Sequence, residues 1–241
     1  MGEAWNLQAL RAQVRVRHPE ASEGLIQIIN SLGRSCEIFD YHKCLARDAF
    51  AAFNPENDPH GLKFAEQIFG CEDEQHIIEK AKLISEANLI ACIAITRNSF
   101  DSFGQLLNGL LLPTPLTNHF YVHSVKDKLP DGDLKTRLDE VLSSDWFRYV
   151  HAFMNEVKHH RLIVQQAKIS FVDENRGGKI KGFSHKGKDY PACWVREALE
   201  GTVELQNSLG ACGILLNRAY FGEANNKSAV LSSTTEKQKA P

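Results

Sequence analysis

Along most of this chain apolar residues recur every three or four positions, the spacing that gives a helix one buried face. The pattern predicts a helix from about Ala4 to Arg17, stopped by His18-Pro19. A second runs from about Glu20 to Leu32, where Gly33 has the residue type of a helix C′ position. A third spans Cys36 to Phe53 and ends at the breaker-rich NPENDPHG, and a short one covers Leu62 to Phe69. From Glu72 to Leu112 no proline intervenes and acidic residues fill the first turn, so one long helix is predicted as the spine of the fold.

After LPTPLTN and the acidic turn PDGD, helical spacing resumes in LKTRLDEVLSS. Asp145 is then placed to cap a helix containing FRYVHAFMNEVKHHRLI, Phe147 to Ile163. Beyond it the period falls to two: AKISFV and KIKGFSH flank DENRGG, which predicts one β-hairpin near residues 166–184. Val195, Leu199, Val203, Leu209, Cys212, Leu216 and Ala219 then mark a long C-terminal helix from about Ala192. Residues 222–241 are small and polar and are expected to be disordered. The fold class is therefore mainly α: a helical bundle with long central and C-terminal helices and one small hairpin. A helical segment of residues 1–70 is expected to pack on a main domain of residues 71–221.

With 241 residues, 43% hydrophobic and 24% charged, the chain fits an ordinary globular protein able to bury a large core. A formal net charge of −2 gives no general attraction to nucleic acid, so such binding would need a local patch like KHHR, Lys158 to Arg161. The N-terminus lacks the basic-then-apolar order of a signal peptide, and Asn6 stands where a myristoylation signal has Ser or Thr. The longest apolar run, Ala87 to Ile95, is about half the ~20 residues of a membrane span. A cytoplasmic protein without membrane contact is expected. Its six cysteines form no C-x-x-C pair and read as buried free thiols.

The candidate chemistry lies on the helix after Asp145. Residues three or four apart share a face, so Arg148, His151, Asn155 and His159 form one polar line beside the apolar Phe147, Val150, Met154 and Val157. Histidine near neutral pH can take or give a proton, asparagine can orient a group, and arginine can hold phosphate charge. These are the parts of a metal-independent RNA cleavage site, in which the 2′-hydroxyl attacks the adjacent phosphorus. The plain alternative is a row of helix-to-helix hydrogen bonds or a solvated stripe. On the spine helix, Arg97, Asn98 and Asp101 follow the apolar run and can line the same polar seam.

MNEVKHH, Met154 to His160, resembles the signature of HEPN domains, in which an arginine and a polar residue precede a histidine across a short gap. Asn155 fits the polar position and His159 the histidine, whereas Met154 stands where the family has arginine. The order of helices from about Glu72 to Phe221 is also similar. The resemblance implies a homodimer through the helix carrying Asn155 and His159, and metal-independent ribonuclease activity of a bacterial defence or toxin type in active members. His159, Asn155, Arg148 and His151 are then the candidate catalytic residues. Lys158, His160, Arg161 and Arg97 are candidates for binding RNA or a nucleotide. No cofactor or metal is expected.

Other signals are weaker. His119 and His123 have the i,i+4 spacing of two zinc ligands, without a third ligand nearby in sequence. P-loop, dinucleotide-binding and G-x-S-x-G patterns are absent. FSHKGKDYPACW, Phe183 to Trp194, mixes aromatic and basic residues but reads best as a loop anchoring the hairpin to the last helix. Two functions stay open: a HEPN-like protein that acts on or binds RNA, and a non-catalytic helical module that binds a protein or nucleotide.

Overall fold

The computed structural model describes residues 3–54, 56–70, 75–118, 121–172 and 175–236. Among them are helices α1 (Leu7–Arg17), α2 (Ser22–Asp48), α3 (Leu62–Phe69), α4 (Gln75–Leu111), α5 (Val122–Lys126), α6 (Asp133–Leu142), α7 (Asp145–His159) and α8 (Val195–Glu236). A 3₁₀ turn covers Ala51–Phe53. The strands are β1 (Gln165–Ser170), β2 (Asn175–Ile180), β3 (Phe183–His185), β4 (Lys188–Tyr190) and β5 (Cys193–Trp194). The fold is mainly α, as the periodicity predicts. No helix among the described residues is long and apolar enough to cross a membrane.

Several boundaries differ from the sequence expectation. Gly33 does not end a helix but lies inside α2, because a Cβ there would stand only 3.2 Å from Leu7 Cδ1 of α1. It is a close-approach glycine, and the helix formers on either side carry α2 through the ~1 kcal/mol cost of an internal glycine. The long α4 is observed from Gln75, and the predicted start at Glu72 lies outside the described residues. At the other end of the chain α8 continues to Glu236, through most of the segment expected to be disordered. No glycine or proline interrupts residues 223–236, so composition alone does not stop the helix there.

The β region is larger than one hairpin. β1 and β2 pair antiparallel from Gln165↔Ile180 to Ser170↔Asn175, and β5 adds to β2 through Lys179↔Trp194 and Ile180↔Cys193. The NRGG expected in the turn is therefore part of β2, which begins at Asn175, after β1 has ended at Ser170. Strand position suits those glycines: a Cβ on Gly178 would meet Gln165 Nε2 at 2.4 Å and Val195 Cγ2 at 2.8 Å, while Gly177 has φ +125°. The segment read as a loop is a second hairpin, β3 with β4, turning at Lys186 and Gly187. Both turn residues have positive φ, 50° and 76°, as a two-residue type I′ connection requires.

The chain divides into two compact units, each built from separate stretches. The first comprises Met1–Arg34, Ser99–Ser143 and Asn207–Pro241. Here Trp5 packs edge-on against Phe103, with ring centroids 5.6 Å apart, and donates to Asn217 Oδ1 at 3.2 Å. Gly213 makes room for that indole, since a Cβ there would lie 2.1 Å from its Cδ2.

The second unit comprises Ser35–Asn98 and Ser144–Gln206. Phe53, Phe64 and Ile78 form one core cluster, on which Phe50, Ala167 and Ile169 pack. A second aromatic group joins α7 to the short hairpin. Tyr149 meets Phe183 at 5.5 Å and Tyr190 at 5.9 Å, and Phe153 meets Phe183 at 5.9 Å. Trp146 lies over Gly201 of α8, in the same arrangement as Trp5 over Gly213.

Candidate functional site

α7 begins at a serine and not at the expected aspartate. Ser144 is the N-cap, its side chain accepting from Phe147 N at 3.2 Å, and Asp145 is the first helical residue. Asp145 instead pairs with Arg148, Nη2 to Oδ1 at 2.9 Å, and that guanidinium holds its carboxyl below the usual carboxylate range. Phe147, Tyr149, Val150, Ala152, Phe153, Met154 and Glu156 are buried and fix the rotation of the helix. The polar line follows from that rotation. His151 and Asn155 are half-buried at its centre, whereas Arg148 and His159 are exposed toward its two ends.

The structure draws three of the predicted residues together. Arg97 of α4 donates Nε–H to Nδ1 of His151 at 3.2 Å, and its guanidinium carbon lies 5.8 Å from the centre of the Phe147 ring. The His151 ring is nearly parallel to that of Phe147, 19° apart with centroids at 6.4 Å. Asn155 donates its amide to the His151 carbonyl at 2.9 Å. Arg97, expected to bind substrate, and His151 and Asn155, expected in catalysis, thus make hydrogen bonds inside the protein.

Arg148 and His159 do not join that group. At 1.5 Å per residue the eleven steps between them span ~16 Å along the axis, and Arg148 reaches back toward Asp145. Met154, at the motif position of an arginine, is 7% exposed among core residues. An apolar residue suits that position, because a guanidinium there would need buried partners.

The other end of α7 is open. Lys158, His159, His160 and Arg161 are consecutive and all exposed, followed by exposed Leu162, buried Ile163 and exposed Val164. The N–H groups of His160 and Arg161 both converge on the Glu156 carbonyl, at 2.9 and 3.0 Å. Arg161 Nε also lies 3.6 Å from the nearly buried Glu156 carboxylate, so the basic turn is wrapped back onto the helix end. The Lys158 and Arg161 charges offset the negative end of the helix dipole and leave donors facing solvent. Glu156 is the residue that sequence reasoning missed, since an i,i+5 pair is not an ordinary helix contact and only the break after His159 creates it.

Among the described residues no three His, Cys, Asp or Glu side chains gather as metal ligands. His119 and Cys71 lie outside the described residues, so the His119/His123 pair is not located. The five described cysteines are free. Cys92 and Cys212 are buried as expected, their thiols pushed up to about 12 by burial, but Cys36 and Cys44 are exposed on α2. The sequence reading missed that exposure because apolar neighbours along a helix do not all share a face.

A polar cleft away from that line, not anticipated from the sequence, lies in the same unit. It has a volume of about 320 Å³ and is bordered by Arg47, Arg176, Arg196, Gly177, Gly178 and Trp194, among others. Comparison of the chain with protein-family models, with curated proteins and with solved structures gave no match.

Proposed function

We propose that this chain binds RNA through the exposed basic turn at the C-terminal end of α7, and that it binds without cutting. One observation carries the reading: Lys158, His159, His160 and Arg161 are all exposed and adjacent. Lys158 and Arg161 are cations that meet phosphates without requiring a catalytic geometry, and the two histidines between them offer ring N–H donors. The exposed Leu162 and Val164 beside them offer apolar contact to splayed bases. A net charge of −2 over the whole chain gives no general attraction, so binding has to come from a local patch such as this one. The dimer implied by the HEPN resemblance belongs to the reading as a pairing of two α7 helices, which sedimentation would measure. The direct test is a gel shift of a single-stranded RNA with wild type and the Lys158→Gln/Arg161→Gln double variant. Retarded RNA in wild type alone is expected; equal retardation, or none in either, counts against the patch.

Cleavage is the second reading, favoured by the placement of Asn155 and His159 one turn apart on the same side of α7. It requires fragments with 2′,3′-cyclic phosphate ends when RNA is incubated with wild type in EDTA, and none with His159→Ala. Intact RNA in both lanes leaves binding alone.

A further inference from the structure

We propose that the cleft between the end of α2, strand β2 and the first turn of α8 binds a small phosphate monoester. The cleft exists because β5 is short. It pairs with β2 only at Lys179 and Ile180, and the chain then leaves the sheet as α8 at Val195. From Asn175 to Gly178, β2 therefore has β1 on one side and no strand on the other, and the opening of about 320 Å³ lies there.

Three kinds of donor face this opening. In an antiparallel pair successive residues turn their N–H groups to opposite sides, so β2 directs main-chain groups toward the strandless side. Gly177 and Gly178 carry no side chains, although Gln165 and Val195 fill the space beside Gly178. The first turn of α8 supplies a positive helix end. Its flanking residue is Trp194, whose indole has no acceptor with which to cap the first N–H groups. The Trp194 N–H itself is taken by Glu197 Oε2 at 2.7 Å. Arg176 and Arg196 then add guanidinium groups around the rim, where Arg47 is already paired with Asp48.

Acidic residues engage part of this set: Asp48, which itself lines the cleft, is forked by Arg47 at 2.7 and 2.8 Å, so that pair brings no net charge, and Glu197 lies in the first turn of α8. Arg176 lies 3.9 Å from Asp58 and Arg196 3.9 Å from Glu200, both at the outer reach of an ion pair, with Arg196 also donating to Asn175 Oδ1 at 3.0 Å. Independently of the helix end, Ser85 lines the cleft, is fully buried, and has an Oγ without a hydrogen-bond partner. Phe50, Trp194 and Leu199 give apolar wall, which suits the organic part of an ester. The volume sits at the lower end of the roughly 300–1,000 Å³ range of small-molecule sites, too small for a folded partner.

Titration calorimetry of the full chain with glycerol 3-phosphate, inorganic phosphate, sulfate and glycerol tests this. The ester and phosphate are expected to bind and glycerol not to. Arg196→Gln, a change at an exposed side chain, should weaken binding by roughly tenfold, the loss of one charge-assisted contact. Arg176→Lys should weaken it too, by removing the planar fork while keeping the charge. Tighter binding of the ester than of phosphate supports a phosphorylated metabolite as the source. Equal binding supports the oxyanion site and assigns it to inorganic phosphate. No heat from either at millimolar concentration, or affinities that neither variant changes while circular dichroism shows both folded, would overturn the site. RNA binding at Lys158 and Arg161 stands or falls separately.

Discussion

Arg97 Nε–H points at His151 Nδ1 across 3.2 Å, tying α4 to the middle of α7. That bond requires Nδ1 to be an acceptor, so in the neutral ring the proton resides on Nε2. The imidazole at the centre of the polar line is thereby a structural partner. His151→Ala is expected to lower unfolding free energy by about 1–3 kcal/mol, the worth of a hydrogen bond to a charged group. Urea denaturation measures this. RNA binding by the folded variant should stay at the wild-type level, and a stable His151→Ala protein that loses RNA would reverse the assignment.

Asp58 braces the start of α3. Its carboxylate oxygens accept from Lys63 N at 3.3 Å and Phe64 N at 3.0 Å, and Arg176 lies 3.9 Å away. Burial works to raise its pKa, but those backbone donors and Arg176 prevail and hold it below the ordinary value. With the folded pKa depressed, the stabilisation is present above the unfolded value of about 3.9 and is lost as pH falls through the folded one. Asp58→Asn should therefore cost about 1–3 kcal/mol near neutral pH and progressively less in acid. Chemical denaturation of both proteins across that range reads the difference; a gap that does not narrow in acid contradicts the account.

Two glycines of α8 should respond oppositely to alanine. A Cβ on Gly201 would lie 2.1, 2.4 and 2.5 Å from three ring carbons of Trp146, whereas one on Gly210 meets nothing within 4 Å. Overpacking of about 1–3 kcal/mol outweighs the ~1 kcal/mol of helix propensity at the first site and is absent at the second. Thermal melts should show Gly201→Ala lower and Gly210→Ala higher than wild type.

Thiol reactivity separates the cysteines. The thiolate is the nucleophile, and burial pushes Cys92 and Cys212 up to about 12, so both should resist a maleimide in the native state. Cys36 is exposed, but partial desolvation by the surrounding protein, then Asp40 and Glu37, raise its pKa, so its labelling should be slow near neutral pH and accelerate as pH rises. Peptide mass spectrometry of labelled protein identifies each site. Rapid native labelling of Cys212 would show that α8 opens.

Helix existence was legible wherever the apolar period ran unbroken, and Leu62–Phe69 is observed with the expected bounds. Glycine misled most. Gly33 and the Gly177-Gly178 pair have the residue type of a helix end and a turn, yet each answers to a neighbour distant in sequence, Leu7 in one case and Gln165 with Val195 in the other. Local pattern carries no information about such approaches. The polar line was readable because it needs only the period of one helix. Its division into an engaged centre and an open end was not, because Arg97 reaches His151 from fifty-four residues away. The arginine-bordered cleft was hidden for the same reason: Arg47, Arg176 and Arg196 come from α2, β2 and α8.

The central claim, that the end of α7 meets RNA phosphates, is tested most directly by the salt dependence of binding. Fluorescence anisotropy gives log K against log salt for wild type and for the Lys158→Gln/Arg161→Gln variant. Each phosphate contact on a single strand contributes a slope of about −0.7, so the double variant should bind more weakly with a slope shallower by about 1.4. Parallel lines of equal affinity would place any RNA contact elsewhere and contradict the account.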